Sequence, residues 1–395
     1  MARRVFLHVG TAKSGTSFLQ DLWWRHRDEL RGRGLLLPGV RRDHFAAAAV
    51  VKGMTDVVET LVERERDAWH RLVEEARHWP GDVLLTNEHF ADSPVETTRA
   101  ALDDLAAAAD EVHVVVTARD LARVLPSAWQ QRVKMGARQA YRRFLATVRR
   151  DEDHQKFWRY QDVPAILERW STGLPVGRAH LVVVPPPGAP REELWLRTAS
   201  VLGVDVSGLD TEAERPNDSL GLVEAELLRR INERLPRTQR SPELTRHVKG
   251  TFVPEALVGS ATRESFVLPA RHHAWVHERS AAVVADLRAS AYDVVGDLDD
   301  LLPAPPRDGR TPDDATDEEL LAAARTVLPR LGSDAEPASL EEAVGLIADV
   351  LLARASRPTA GRAVSQPRVE AAEGGSRTGL RRVVRRLAQR GTSAQ

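Results

Sequence analysis

The sequence has 395 residues, 42% of them hydrophobic and 29% charged, with a formal net charge of −1 and no cysteine. A chain of this kind buries a substantial core as one large α/β domain or two smaller ones, and its charge balance shows no nucleic-acid-binding footprint. Without cysteine it forms no disulfides, thiolate metal sites or cysteine nucleophiles, and the absence of any run of 18 apolar residues predicts no transmembrane helix.

The apolar run after Arg3-Arg4 is interrupted at His8 and Gly10, too soon for a secretory signal, so a cytoplasmic location is expected. Residues 5–9, short and rich in β-branched side chains, read as a buried parallel strand. Phe18, Leu19, Leu22, Trp23 and Leu30 recur at helical spacing and predict a helix over 14–31, ended by Gly32-Arg33-Gly34. Residues 35–80 read as mostly helical, with Arg41-Arg42-Asp43-His44 as a polar turn and Trp69, Leu72, Val73 and Ala76 on one face. A second apolar run, 82–86, ends in Asn87-Glu88-His89-Phe90, and a helix is expected over 92–109. A third run, 111–118, is the most strand-like of the chain. It ends in Arg119-Asp120, ahead of a helix from about Leu121 through Lys134. Residues 138–175 read as largely helical with Phe157, Trp158 and Trp170 as anchors. Residues 179–184 form a fourth strand, stopped by Pro185-Pro186-Pro187-Gly188, and a helix follows over 192–202.

Arg215-Pro216-Asn217-Asp218-Ser219 reads as a polar loop before a periodic helix through Leu235, and 241–300 as further helices ending at 292–296. Pro303-Ala304-Pro305-Pro306, with Gly309 and Pro312, predicts a linker over 301–315. A helical appendage is expected over 316–355 and a disordered basic tail over 356–395. In that tail, 380–390 has the pattern of a short basic amphipathic helix suited to an anionic surface, with a plain solvated tail as the other reading. Strands alternating with helices predict βαβ units and a three-layer αβα domain over 1–300 with a central parallel sheet, plus extra C-terminal helices.

Chemistry concentrates at strand ends, where open parallel sheets bind ligands. Gly10-Thr11-Ala12-Lys13-Ser14-Gly15-Thr16-Ser17 follows the first strand and opens a helix, the layout of an anion cradle made of backbone N–H groups and a helix N-terminus. Its glycines are spaced as in a Walker A loop. The lysine, however, lies inside the loop at Lys13, and Gly15 is followed by Thr16-Ser17 instead of Lys-Ser/Thr. Arg119 leaves the third strand with Ser127 eight residues on, a guanidinium and a hydroxyl suited to a second phosphate. A surface salt bridge is the alternative for Arg119 taken alone. Glu88 and His89 stand at the end of the second run, where an acid–base group is well placed. Alternation along a strand would turn only one of them to the cleft.

Lys13-Ser14-Gly15-Thr16-Ser17 after a strand resembles the 5′-phosphosulfate loop of sulfotransferases that use 3′-phosphoadenosine 5′-phosphosulfate (PAPS), in a bacterial branch acting on carbohydrates or small molecules. Arg119 with Ser127 resembles their 3′-phosphate site. The resemblance implies a P-loop-like fold with PAPS as sulfuryl donor and no metal. Lys13 would lie at the phosphosulfate bridge, and Ser14, Gly15, Thr16 and Ser17 would hold the 5′-phosphate. It also implies Glu88 as the base for an acceptor hydroxyl on a carbohydrate, glycolipid or metabolite, since carbohydrate-modifying members carry a glutamate there and phenol-modifying members a histidine, the role open to His89. The family's Arg-Lys-Gly closing segment is absent as such, and 215–219 is the candidate replacement. Two other functions fit an α/β nucleotide fold. One is a P-loop kinase or NTPase, with Asp120 as its magnesium anchor, and the other is a nucleotide-binding scaffold without catalysis.

Overall fold

A computed structural model describes residues 1–150, 157–212, 219–236, 238 and 241–355. Six strands form one parallel sheet: β1 (Ala2–His8), β2 (Leu35–Leu36), β3 (Asp82–Thr86), β4 (Ala109–Ala118), β5 (Ala179–Val183) and β6 (Asp293–Val295), in the order β2-β3-β1-β4-β5-β6. β1 is therefore interior, with Leu7 opposite Leu85 on one side and Val114 on the other. Both faces of the sheet are covered, which is why its interior strands read as continuous apolar runs.

Phe6, Leu84, Val115 and Val182 turn to one face, against Leu19, Leu22 and Trp23 of the helix Thr16–Arg25 and Trp195 of Glu193–Leu202. Their alternates Val5, Leu7, Leu85, Val114 and Leu181 turn to the other, against Leu72, Leu105, Ile166 and Trp170. Those four residues come from the helices Ala68–Arg77, Val95–Ala106 and Val163–Ser171. The helix leaving β1 thus lies on the face opposite the helix that follows β3. That divergence opens a crevice outside the carboxyl ends of the strands, beside β1.

Both edge strands depart from the expected elements. Leu35–Leu36 falls in a stretch read as mostly helical, and Asp293–Val295 in a stretch read as the end of further helices. Each is two or three residues long, too short to carry a period, and is extended because it pairs with a buried neighbour: Leu35 with Asp82, Val294 with Leu181. The helix expected over 14–31 is two helices, Thr16–Arg25 and Arg27–Gly32, meeting at His26.

A second apolar core joins the helices Leu121–Lys134, Leu222–Arg234, Asp317–Arg330 and Leu340–Ala355 through Val133, Leu227, Leu228, Ile231, Val327, Ile347 and Leu351. The helices expected as an appendage over 316–355 therefore pack on the body of the molecule. Among the described residues no helix is long and apolar enough to cross a membrane. The polar segment Arg215-Pro216-Asn217-Asp218 and the basic tail over 356–395, with its 380–390 segment, lie outside the described residues.

Candidate active site

The loop after β1 holds three left-handed residues: Gly10 at φ 54°, Lys13 at 70° and Gly15 at 84°. Gly15 is required twice over, because a Cβ there would meet Leu194 Cδ2 at 2.5 Å. Lys13 is the only non-glycine residue with positive φ among the described residues, a conformation that costs about 1–3 kcal/mol and must be enforced by its surroundings. The enforcement is visible on the carbonyl side. Thr11 C=O accepts from Ser14 Oγ at 2.7 Å, Ala12 C=O from Gln161 Nε2 at 2.6 Å, and Lys13 C=O from an Arg119 Nη at 3.4 Å. With its carbonyls tied back, the loop meets an incoming anion without their lone pairs. The helix Thr16–Arg25 begins directly after it with no side-chain cap, and its first turn of N–H groups has no intrahelical acceptor.

Beneath the loop, Thr117 of β4 accepts the Thr11 amide at 3.0 Å, and its hydroxyl lies 2.6 Å from Ser14 Oγ and 3.3 Å from His8 Nε2. His8 also bonds Thr86 at 2.9 Å, and burial pushes its pKa down to about 4, so it is a neutral strut. The Ser14 hydroxyl is turned inward, whereas Ser17 is exposed at the helix start.

Two cations are held at the loop without carboxylate partners among the described residues. Lys13 Nζ donates to Gln131 Oε1 at 3.0 Å. Burial, followed by the charges of Lys134 and Lys249, lowers its pKa to about 8. Arg119, lowered by burial to about 10, gives one bond to Lys13 C=O, and its buried Nε has no hydrogen-bond partner among the described residues. Ser127 lies one helical turn before Gln131 on Leu121–Lys134, so the two share the helix face that meets Lys13. Among the described residues no hydrogen bond joins Ser127 to Arg119. Asp120, the magnesium anchor of the kinase reading, instead caps that helix by accepting from the Arg123 amide at 3.0 Å and pairs with the Arg123 guanidinium.

Glu88 and His89 are not strand residues, so the alternation expected of them does not apply. They form a single 3₁₀ turn, Glu88–Phe90, capped by Asn87. Glu88 Oε2 accepts from Gln20 Nε2 of the first helix at 3.0 Å, which turns it toward the loop, and its charge is felt at Lys13. Burial raises the Glu88 pKa, but the turn's own N–H, His89, Gln20 and His8 outweigh it and leave the carboxyl below its ordinary value. His89 packs its ring edge-on against Phe45 at 5.5 Å, and burial lowers its pKa. Both residues of the pair border the crevice, but only Glu88 is joined to the helix that carries the loop.

A cavity of about 890 Å³ opens beside the loop, lined by Ser17, Phe18, Arg25, Arg41, Arg123 and Arg191 among others. A second, of about 470 Å³, shares Arg123 and Pro186 with it. Arg123, Gln131, Gln20 and Lys249 had no motif to mark them. For Gln131 alone a signal existed, its position one turn beyond Ser127. Among the described residues no group of three or more His, Asp or Glu is placed to hold a metal ion.

No family model matches the chain, and no curated protein matches it. Among solved structures it is similar to a sulfotransferase from Alicyclobacillus acidocaldarius, with 18% identity and a TM-score of 0.39 over 55% of this chain and 88% of that one.

Proposed function

We propose that the protein transfers a sulfuryl group from PAPS to an acceptor hydroxyl. The observation that carries this reading is the pair Lys13 and Arg119, two partly buried cations gathered at one strained loop with no carboxylate among the described residues in direct contact with either. Burying charge without a partner is costly, and an external anion with more than one charged end removes that cost. The donor has phosphate at both its 5′ and 3′ ends. The loop amides and Lys13 would take the 5′ end. Arg119 with Ser127, and Arg123 facing the neighbouring cavity, supply donors for the rest. When bound, the donor supplies an activated sulfuryl group and a phosphate leaving group.

The chain's own contribution is the placement of charge. Glu88, ionised at neutral pH and oriented by Gln20, accepts the proton of the acceptor hydroxyl as its oxygen bonds to sulfur. The Lys13 ammonium stabilises the negative charge that grows on the departing phosphate oxygen, which keeps the bonding electron pair. Its lowered pKa also lets it give up a proton more readily than an exposed lysine. The test is thermal stability with 3′-phosphoadenosine 5′-phosphate. A ligand at about a hundred times its Kd adds about 2.7 kcal/mol to the native state. The expected result is that shift without magnesium. A shift seen only with ATP and magnesium would overturn the reading.

A further inference from the structure

A hydrogen-bonded row of titratable side chains crosses the sheet on the face that carries Phe6 and Val182. It lies away from the crevice, since His180 is the second residue of β5. Glu111 and His113 are two residues apart on β4 and so share a face, and His180 lies opposite Asp293 of β6 in register. His113 Nε2 meets Glu111 Oε2 at 3.1 Å, His113 Nδ1 meets His180 Nε2 at 2.9 Å, and His180 Nδ1 meets Asp293 Oδ2 at 2.7 Å. The side chains of His113 and His180 are only 12% and 8% exposed, whereas those of Glu111 and Asp293 are 42% and 49% exposed. On the β1 side the row is closed by Phe6, whose ring centroid is 4.9 Å from that of His113. The other charges around it are engaged. Arg178 pairs with Glu111 at 3.3 Å, and Arg4 lies over the Phe6 ring and pairs with Asp82. Arg197 of the overlying helix pairs with Glu193 and Asp300.

These three bonds fix how many protons the pair of rings holds. An ionised carboxylate only accepts, so His113 Nε2 and His180 Nδ1 each carry a proton. Two ring nitrogens 2.9 Å apart need a third proton between them. Three protons on two rings make one imidazolium and one imidazole. Removing the third leaves two lone pairs facing each other, and a fourth sets two N–H groups head to head. The His113 bond holds the Glu111 carboxyl below its ordinary value, so it stays an acceptor at neutral pH. Burial lowers the His113 pKa against the pull of Glu111, and the His180 charge lowers it further, which resists the fourth proton. We propose that His113 and His180 share one proton beyond their neutral complement, and that the shared proton makes them a pH-operated clasp on the edge strand β6. That strand has only three residues, and Asp293 opens it. The chain runs on from it into Asp299, Asp300 and Leu302 in the wall of the 470 Å³ cavity, the part of the molecule that the clasp steadies.

The native pair then keeps one shared proton across neutral pH, whereas the unfolded pair takes up two extra protons in acid and none in base. Below about pH 6.5 the unfolded chain holds more protons, so stability rises with pH; above it the native chain holds more, so stability falls as pH rises. The test is urea denaturation of the full chain, without ligand, from about pH 5 to about pH 9, against the double variant His113→Gln/His180→Gln. The difference in stability should peak near about pH 6.5 and decline on both sides. Two neutral rings would give a difference that only rises with pH, and two imidazolium rings one that only falls. Either would overturn the proposal. Two readouts on the wild type do not depend on the variant folding. Nitrogen-15 spectra at about pH 6.5 should show three of the pair's four ring nitrogens protonated, and two or four would overturn it. Hydrogen exchange of the β6 amides, corrected for the intrinsic rate, should show protection about tenfold higher at about pH 6.5 than at about pH 8.5, the linkage of one proton over one pH unit. Protection that ignores pH would remove the clasp from β6.

Discussion

Two sets of charged groups, one at each end of the sheet, are held in opposite ways. At the amino end, Asp82 opens β3 and is gripped by Arg3 and Arg4, with Arg4 contributing bonds of 2.6 and 3.1 Å and Arg3 one of 2.9 Å. At the carboxyl end, among the described residues, Lys13 and Arg119 bond to neutral oxygens, and Glu88 is held by a neutral amide. Both sets sit at strand termini, so position alone does not explain the difference. On the function proposed above, charges that serve the fold are paired directly within the chain, whereas those that would serve a ligand are oriented by neutral groups.

The largest expected effect breaks this contrast at Glu88. Glu88→Gln keeps the Gln20 contact in shape but removes the proton acceptor. The rate of transfer should fall by about 10²–10⁴-fold. Affinity for 3′-phosphoadenosine 5′-phosphate should stay within about twofold, read from the same preparation by calorimetry. Loss of nucleotide affinity together with rate would place Glu88 in the donor site and not at the acceptor hydroxyl.

What the sequence disclosed and what it withheld follow the same division. The interior strands were legible because each is a buried apolar run, and the loop was legible because Gly10, Lys13 and Gly15 occupy fixed positions along a few residues. Glu88 was legible as a strand-end carboxylate, although its geometry was misjudged: Asn87 caps a turn there, so Glu88 and His89 do not alternate as strand neighbours would. The edge strands β2 and β6 were hidden because pairing, not propensity, makes them extended. Gln161 and Gln20 were hidden because each meets the loop or the Glu88 turn across more than 60 positions of chain, and nothing in one sequence marks such a meeting.

A second prediction turns on Lys13. Its pKa of about 8 puts its charge within reach of ordinary buffers. The ammonium favours a bound anion, so donor affinity should be flat below about pH 8. As Lys13 loses its proton above that pH, affinity should weaken by up to about tenfold per unit. Lys13→Arg, charged throughout this range, should flatten the profile. Lys13→Asn, a side chain that tolerates positive φ, should lose affinity at every pH. It should also leave the ligand-free protein as stable as the wild type or more stable by about 1 kcal/mol, since an unbalanced cation has gone. A drop in ligand-free stability would show that Lys13 holds the fold together and would erase the contrast with Asp82.

The smallest effect is expected at the amino end and should be purely structural. Burial alone would raise the Asp82 pKa, but its bonds to Arg4 and Arg3 outweigh that and hold the carboxyl below its usual range. A carboxyl depressed in the folded state adds stability above its unfolded pKa, about 3.9, and loses that contribution as pH falls through the folded value. Arg3 is largely exposed, so solvent screening keeps the contribution modest. Asp82→Asn should therefore cost about 1 kcal/mol at pH 7, measured by urea denaturation, and the gap from wild type should close below about pH 4. Nucleotide affinity should not change, because Asp82 lies at the opposite end of β3 from Glu88. If Asp82→Asn weakened the nucleotide as Lys13→Asn is expected to, the division between charges kept for folding and charges kept for a ligand would fail at its simplest point.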